Sequence, residues 1–154
     1  RWAPGCAAFQ GTCMAKVHPL FTRDEFAARL ARVRAAMLRE GIDTLILSDP
    51  CNFYYLTGYE AWSFYTPQFL IVPAGDEEPY WLGRAMDVRG CQITSILSDA
   101  SIEGYPDEYV QAPDRHPAQV LAARLHERGW AKGRIGLELN SYYLTATAYE
   151  WLLR

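Results

Sequence analysis

The stretch NFYYLTGYEAWSFYTPQFLIV, residues 52–72, carries seven Tyr, Phe or Trp residues in its first fourteen positions. It ends in FLIV, residues 69–72, a short apolar run that suits a buried strand. Between the rings and that strand stand Thr57-Gly58 and Pro67, which interrupt regular structure. The segment is therefore either a core folded back on itself or a loop whose rings meet a ligand or a second protein. The flanking sequence supplies the frame for that choice.

Upstream, Thr22-Arg23-Asp24-Glu25 reads as a capping box, in which Thr22 and Glu25 each satisfy the other's backbone N–H. Phe26, Leu30, Val33 and Met37 follow at helical spacing and share a face, with Arg29, Arg32 and Arg39 toward solvent and Gly41 as the stop. TLILS, residues 44–48, is a buried strand closed by Asp49-Pro50, and a short link leads into the aromatic stretch.

Downstream, residues 69–72 and 80–82 flank the turn-rich PAGDEEP and read as two antiparallel strands. A short helix at 84–89 ends at Gly90, SIEGY at 101–105 is a weak strand, and YPDEYVQAPDRH is loop. Pro117 opens a helix packed through Val120, Leu121 and Leu125 and closed by Gly129. Ile135, Leu137 and Leu139 alternate as a half-buried strand; Asn140 or Ser141 caps a last helix with Leu144, Ala148 and Trp151 on one side. Strands alternating with helices predict an α/β domain, a mixed β-sheet flanked by helices.

With 154 residues, half of them hydrophobic and 21% charged, the chain suits one domain with one core. A net charge of −3 without a basic cluster argues against nucleic acid, and no apolar run reaches membrane-spanning length, so a soluble protein is expected. Cys6, Cys13, Cys51 and Cys91 lack CxxC spacing, which suits free thiols in the cytoplasm. His18, His116 and His126 have no ligand spacing relative to them, so no metal site is expected in this chain. RWAPGCAAFQGTC, residues 1–13, has no periodicity and reads as a non-native or disordered arm. YYLTATAYEWLLR stops within a helical pattern, so residues 14–154 are expected to be a C-terminally truncated domain. The alternative is a complete small protein with a frayed arm.

Phosphate loops, HExxH and GxSxG are absent. Glu77-Glu78 and Asp107-Glu108 read as solvated turns, His126 as a surface residue, His116 as lying just ahead of a helix, and Cys51 as an inert thiol. No catalytic residue is assigned in this chain.

DPCNFYYLTGY, followed some ten residues on by a buried strand, resembles the N-terminal domain of the creatinase and prolidase superfamily, which includes aminopeptidase P, Xaa-Pro dipeptidase, creatinase and ectoine hydrolase. Asn52, Tyr54, Tyr55, Leu56, Thr57 and Gly58 carry the motif; GIDTLILSDP and GRIGLELN fit the same pattern, and the likeness covers residues 20–154. The resemblance implies a domain ahead of a separate "pita-bread" catalytic domain, which holds a divalent metal pair in metal-dependent members. It also implies a homodimer in which this domain leans over the partner's active site.

Within the superfamily GYEAWSFYTPQ looks most like the ectoine hydrolase branch. Creatinases have Phe-x-Arg there, and here Phe64 matches the Phe while Thr66 stands in place of the Arg; a hydroxyl cannot make the bidentate pair a guanidinium makes with a carboxylate. Tyr54, Tyr55 and Leu56 are expected to pack under the sheet. Trp62, Phe64, Tyr65 and Thr66 are the substrate-capping candidates, set against ordinary core packing for the three rings. The expected function is a non-catalytic dimerisation and capping domain of a hydrolase acting on a C–N bond, with a Xaa-Pro peptidase domain or a stand-alone binding module as alternatives.

Overall fold

In the computed structural model, which describes residues 20–153, successive side chains of the central strands point to opposite faces and both faces are covered. β1 (Thr44–Leu47), β2 (Phe69–Pro73), β3 (Tyr80–Arg84), β4 (Ile102–Tyr105) and β5 (Ile135–Leu137) form one mixed sheet in the order β4-β3-β2-β1-β5. Only β2 runs against the others: β1–β2 and β2–β3 are antiparallel, β3–β4 and β1–β5 parallel. Burial on both faces explains the unbroken apolar runs of β1 and β2.

One face takes α1 (Arg23–Glu40), α2 (Pro50–Thr57) and α3 (Val88–Thr94), through Met37, Phe53, Leu56 and Cys91 against Leu47, Leu70, Val72 and Trp81. The other takes α4 (Pro117–Glu127) and α5 (Ala146–Leu152), with Leu121 and Leu125 against Ile46, Ile71, Tyr80 and Leu82. The α/β class and the β2–β3 pair are as the sequence predicts.

Several local expectations need correction. The capping box of α1 is half made: Glu25 N–H donates to Thr22 Oγ1 at 3.2 Å, but the Glu25 carboxylate accepts from Arg29 Nε at 3.0 Å. Arg29 is buried, not solvent-facing, because its guanidinium also donates to the Tyr55 carbonyl at 3.1 Å and lies 4.0 Å from the Phe21 ring centroid. The link after Asp49-Pro50 is the helix α2, with Asp49 as N-cap, Pro50 in its first turn and Gly58 at φ 76° as its left-handed C-cap. Tyr55 is consequently exposed beside Arg29 and Arg32, while Leu56 is buried as expected.

Gly90 lies inside α3, which ends at Thr94. The segment read as loop contains a 3-10 turn, Asp107–Tyr109. Leu139 falls beyond β5 and is exposed; Thr145, not Asn140 or Ser141, caps α5 by accepting from Ala148 N–H at 3.1 Å.

The acidic pairs are not idle turns. Glu77 accepts from the Trp130 indole, Glu78 from Ser98, and Asp107 from Arg84 at 2.8 and 3.1 Å. His116 is the N-cap of α4: its Nδ1 accepts from Ala118 N–H at 3.1 Å, and Gln119 Oε1 accepts from His116 N–H at 2.8 Å. Residues 1–13, with Cys6 and Cys13, and His18 lie outside the described residues.

Candidate functional site

Because β1, β3, β4 and β5 are parallel, their carboxyl ends share one edge of the sheet, and the antiparallel β2 begins there. Ligands of open α/β sheets bind at such an edge. Residues 59–68, which lead into β2, form the aromatic part of it.

This loop alternates in burial with no sheet to impose the alternation. Trp62 is 81% exposed and Phe64 and Tyr65 each 60%, whereas Ser63, Thr66 and Gln68 are 5% exposed or less. The polar side chains hold the loop from below. Ser63 Oγ donates to Asp87 Oδ1 at 2.7 Å; the Thr66 hydroxyl and N–H both donate to the Ser63 carbonyl at 3.1 Å. The Tyr105 hydroxyl donates to the Pro67 carbonyl at 2.7 Å. Burial pushes the Tyr105 phenol up to about 12, so it remains a donor at neutral pH.

The first ring of the loop, Tyr59, is core: it stands edge-on to Trp81 at 5.2 Å and stacks on Phe53 at 6.4 Å. Phe64 meets Tyr65 edge-on at 5.9 Å and Tyr143, from the loop after β5, at 6.4 Å. The outward rings are thus held in a defined arrangement, and Trp62 walls an open groove of about 450 Å³ with Cys51, Tyr54 and Tyr59. A hydrogen bond with Asp49 pushes the exposed Cys51 thiol up, away from a reactive thiolate.

Of the four capping candidates, Trp62, Phe64 and Tyr65 face outward together, while Thr66 is buried and occupied with the Ser63 carbonyl. The motif residues Asn52, Tyr54, Tyr55, Leu56 and Thr57 lie in the helix α2, and Gly58 is its C-cap. Thr57 Oγ1 donates to the Phe53 carbonyl at 2.7 Å and accepts from Tyr59 N–H at 3.2 Å, and Gly58 N–H reaches the Tyr54 carbonyl at 2.9 Å.

Asn52 has a partner that sequence reasoning missed. The Glu138 carboxylate, just past β5, accepts from Ser48 N–H and Asp49 N–H at 2.8 Å each and from the Asn52 amide. Asp87 was missed as well. Neither gives a local signal, since Glu138 sits 86 residues from Asn52 and Asp87 24 residues from Ser63. Among the described residues no group of three or more His, Cys, Asp or Glu could hold a metal ion, and no helix is long and apolar enough to cross a membrane.

The Creatinase/Prolidase N-terminal domain family model matches residues 29–153. The chain is 46% identical over 142 residues to the ectoine hydrolase of Halomonas elongata, covering 92% of this chain and 35% of that protein. It is 43% identical over 126 residues to an uncharacterised hydrolase/peptidase of Sinorhizobium fredii, covering 82% and 32%. It thus spans about a third of the length of the curated relatives it matches. A proline dipeptidase structure from Streptococcus pneumoniae superposes with a TM-score of 0.63 at 26% identity, over 80% of this chain and 82% of that one. A sheet with β2 alone reversed, the helix α2 that carries the Asn52-to-Gly58 motif with Gly58 as its C-cap, and the family match lead to one assignment: the chain belongs to the creatinase/prolidase N-terminal domain family.

Proposed function

We propose that residues 14–154 are the accessory N-terminal domain of a hydrolase that cleaves a non-peptide C–N bond in a small cyclic solute of the ectoine type. The bond-breaking groups, with any divalent metal pair, belong to a catalytic domain outside this chain. The observation that carries the reading is the 46% identity to an ectoine hydrolase across 92% of the chain. The exposed trio Trp62, Phe64 and Tyr65 supports it. Flat apolar walls with a single polar tip suit a small ring that must be held and shielded from water while another domain reacts with it.

In this reading the trio caps the active site of a partner subunit in a cytoplasmic homodimer, Thr66 holds the turn beneath the rings, and Glu138 with Asn52 fixes α2 beside them. The second reading is the same domain on a Xaa-Pro peptidase, for which the likeness to a proline dipeptidase speaks.

The test is turnover by the complete protein of ectoine and of a Xaa-Pro dipeptide, with and without Trp62→Ala. Ectoine ring opening that falls about 10- to 100-fold in kcat/KM in the variant is expected. Cleavage of the dipeptide alone selects the peptidase reading. Turnover of neither would leave a binding module and sink both hydrolase readings.

A further inference from the structure

Phe64 and Tyr65 are the central residues of a reverse turn. The Ser63 carbonyl accepts from Thr66 N–H at 3.1 Å across them, and the Thr66 hydroxyl donates to the same oxygen at 3.1 Å. Phe64 N–H also donates to the Trp62 carbonyl at 2.9 Å, which closes a tighter turn centred on Ser63. Trp62, Phe64 and Tyr65 thus flank Ser63, and the setting of this one residue fixes the direction of all three rings.

What fixes Ser63 lies outside the loop. Its hydroxyl donates to Asp87 Oδ1 at 2.7 Å. Asp87 stands at the N-cap position of α3 yet makes no side-chain capping bond; its helical backbone angles (φ −90°, ψ −10°) carry the 3-10 turn Ala85–Asp87 straight into the helix. The carboxylate is directed to the loop instead of to its own helix. The turn that bears it is seated on β4. A Cβ at Gly104 would stand 2.5 Å from Ala85 Cα and 2.7 Å from Val88 Cγ2, so glycine at this position is what lets strand and turn approach so closely. The far corner of the reverse turn is pinned from the same strand, by the Tyr105 hydroxyl on the Pro67 carbonyl.

We propose that Asp87 is a positioning residue for the three rings, holding them through Ser63 as a ready-made cap without itself meeting the ligand. The inference rests on the capping role proposed above for Trp62, Phe64 and Tyr65. A hydrogen bond to a carboxylate is about twice as strong as one between neutral groups. It suits a rim that must keep its shape before anything binds, because rings already in place lose little freedom on meeting a substrate.

NMR order parameters of the backbone N–H groups and of the Trp62 indole, measured in this chain, test the placement directly. Residues 62–65 of the wild type are expected near about 0.85, as rigid as β2, and Asp87→Ala should bring them below about 0.6 while β2 stays unchanged. Asp87→Asn keeps an acceptor oxygen for Ser63 and should keep the loop ordered. Ser63→Ala removes the same bond from the loop's side, so the test stands even where Asp87→Ala folds poorly. Residues 62–65 already loose in the wild type, or still ordered in both Asp87→Ala and Ser63→Ala, would overturn the proposal. Disorder that spreads into β2 would overturn it too, by making Asp87 a support of the whole fold. Turnover by the complete protein is the second readout: kcat/KM is expected to fall about 3- to 10-fold in Asp87→Ala and to return in Asp87→Asn. Unchanged turnover in Asp87→Ala beside a loss in Trp62→Ala overturns the positioning role alone. No loss in Trp62→Ala strikes the capping role instead, and the order parameters still decide what Asp87 holds.

Discussion

Trp62 and Trp81 are the same side chain in opposite settings. Trp81 is fully buried between Tyr59 and the sheet; Trp62 is 81% exposed at the rim of the groove. Deleting a buried ring removes its transfer energy and leaves a cavity, so Trp81→Ala is expected to cost about 3–5 kcal/mol. Trp62→Ala should stay within about 0.5 kcal/mol of wild type. Urea denaturation of both variants measures this, and a Trp62→Ala loss as large as that of Trp81→Ala would put Trp62 in the core. Arg29 makes the complementary point for a charged residue. It is buried because one guanidinium joins Glu25 in α1, the Tyr55 carbonyl near the end of α2 and the face of Phe21. A lysine reaches one of these at a time. Arg29→Lys should therefore lose about 1.5–3 kcal/mol in the same measurement, whereas an unchanged midpoint would reduce Arg29 to a surface ion pair.

Among the elements, α2 depends most on distant sequence. Eight residues are too few to hold a helix by propensity, and its first turn is completed by the Glu138 carboxylate, which binds the backbone at Ser48 and Asp49 and the Asn52 side chain. Glu138→Gln replaces one acceptor oxygen by a donor that faces other donors. It should lower stability by about 1–3 kcal/mol with an unchanged urea m-value, and a neutral result would mean that Asp49 caps the helix unaided. The same dependence explains what the sequence could and could not reveal. α1, α4 and strands β1 to β3 announce themselves through local periodicity and caps: Phe26 to Met37, Pro117 to Leu125, and the apolar runs. α2 mixes buried Phe53 and Leu56 with exposed Tyr55 in aromatic-rich sequence that carries no clear period, so it read as a link. At the site, the crowd of rings was visible, but their division was not. Tyr59 goes inward because Trp81 and Phe53 are there to receive it, and Ser63 is drawn under by Asp87. Those partners are chosen by topology, which no window of the sequence contains.

The whole molecule answers to pH through groups that tie its layers together. Burial raises the Glu103 carboxyl, but hydrogen bonds from Arg124 of α4 and Tyr80 of β3 outweigh it and hold the group below its ordinary value of 4.5. Ser98 and Ser101 do the same for Glu78 against its own burial. A carboxyl held low in the folded state contributes stability that is complete above its unfolded pKa and is lost as pH falls through the folded one, which sets an acid limit below about 4.5. His116 opens a second window nearer neutrality. Burial lowers its pKa from 6.5, and its Nδ1 must stay unprotonated to accept the Ala118 N–H that starts α4. The unfolded chain takes up a proton below about 6.5 while the folded chain resists it, so stability must fall as pH drops from 7 toward 5. Asparagine is a good N-cap that does not titrate. His116→Asn should therefore match wild type near pH 7.5 and show a flatter fall of Tm down to pH 5, followed by circular dichroism. Equal slopes in the two proteins would place the loss on other groups and leave the cap of α4 indifferent to protonation.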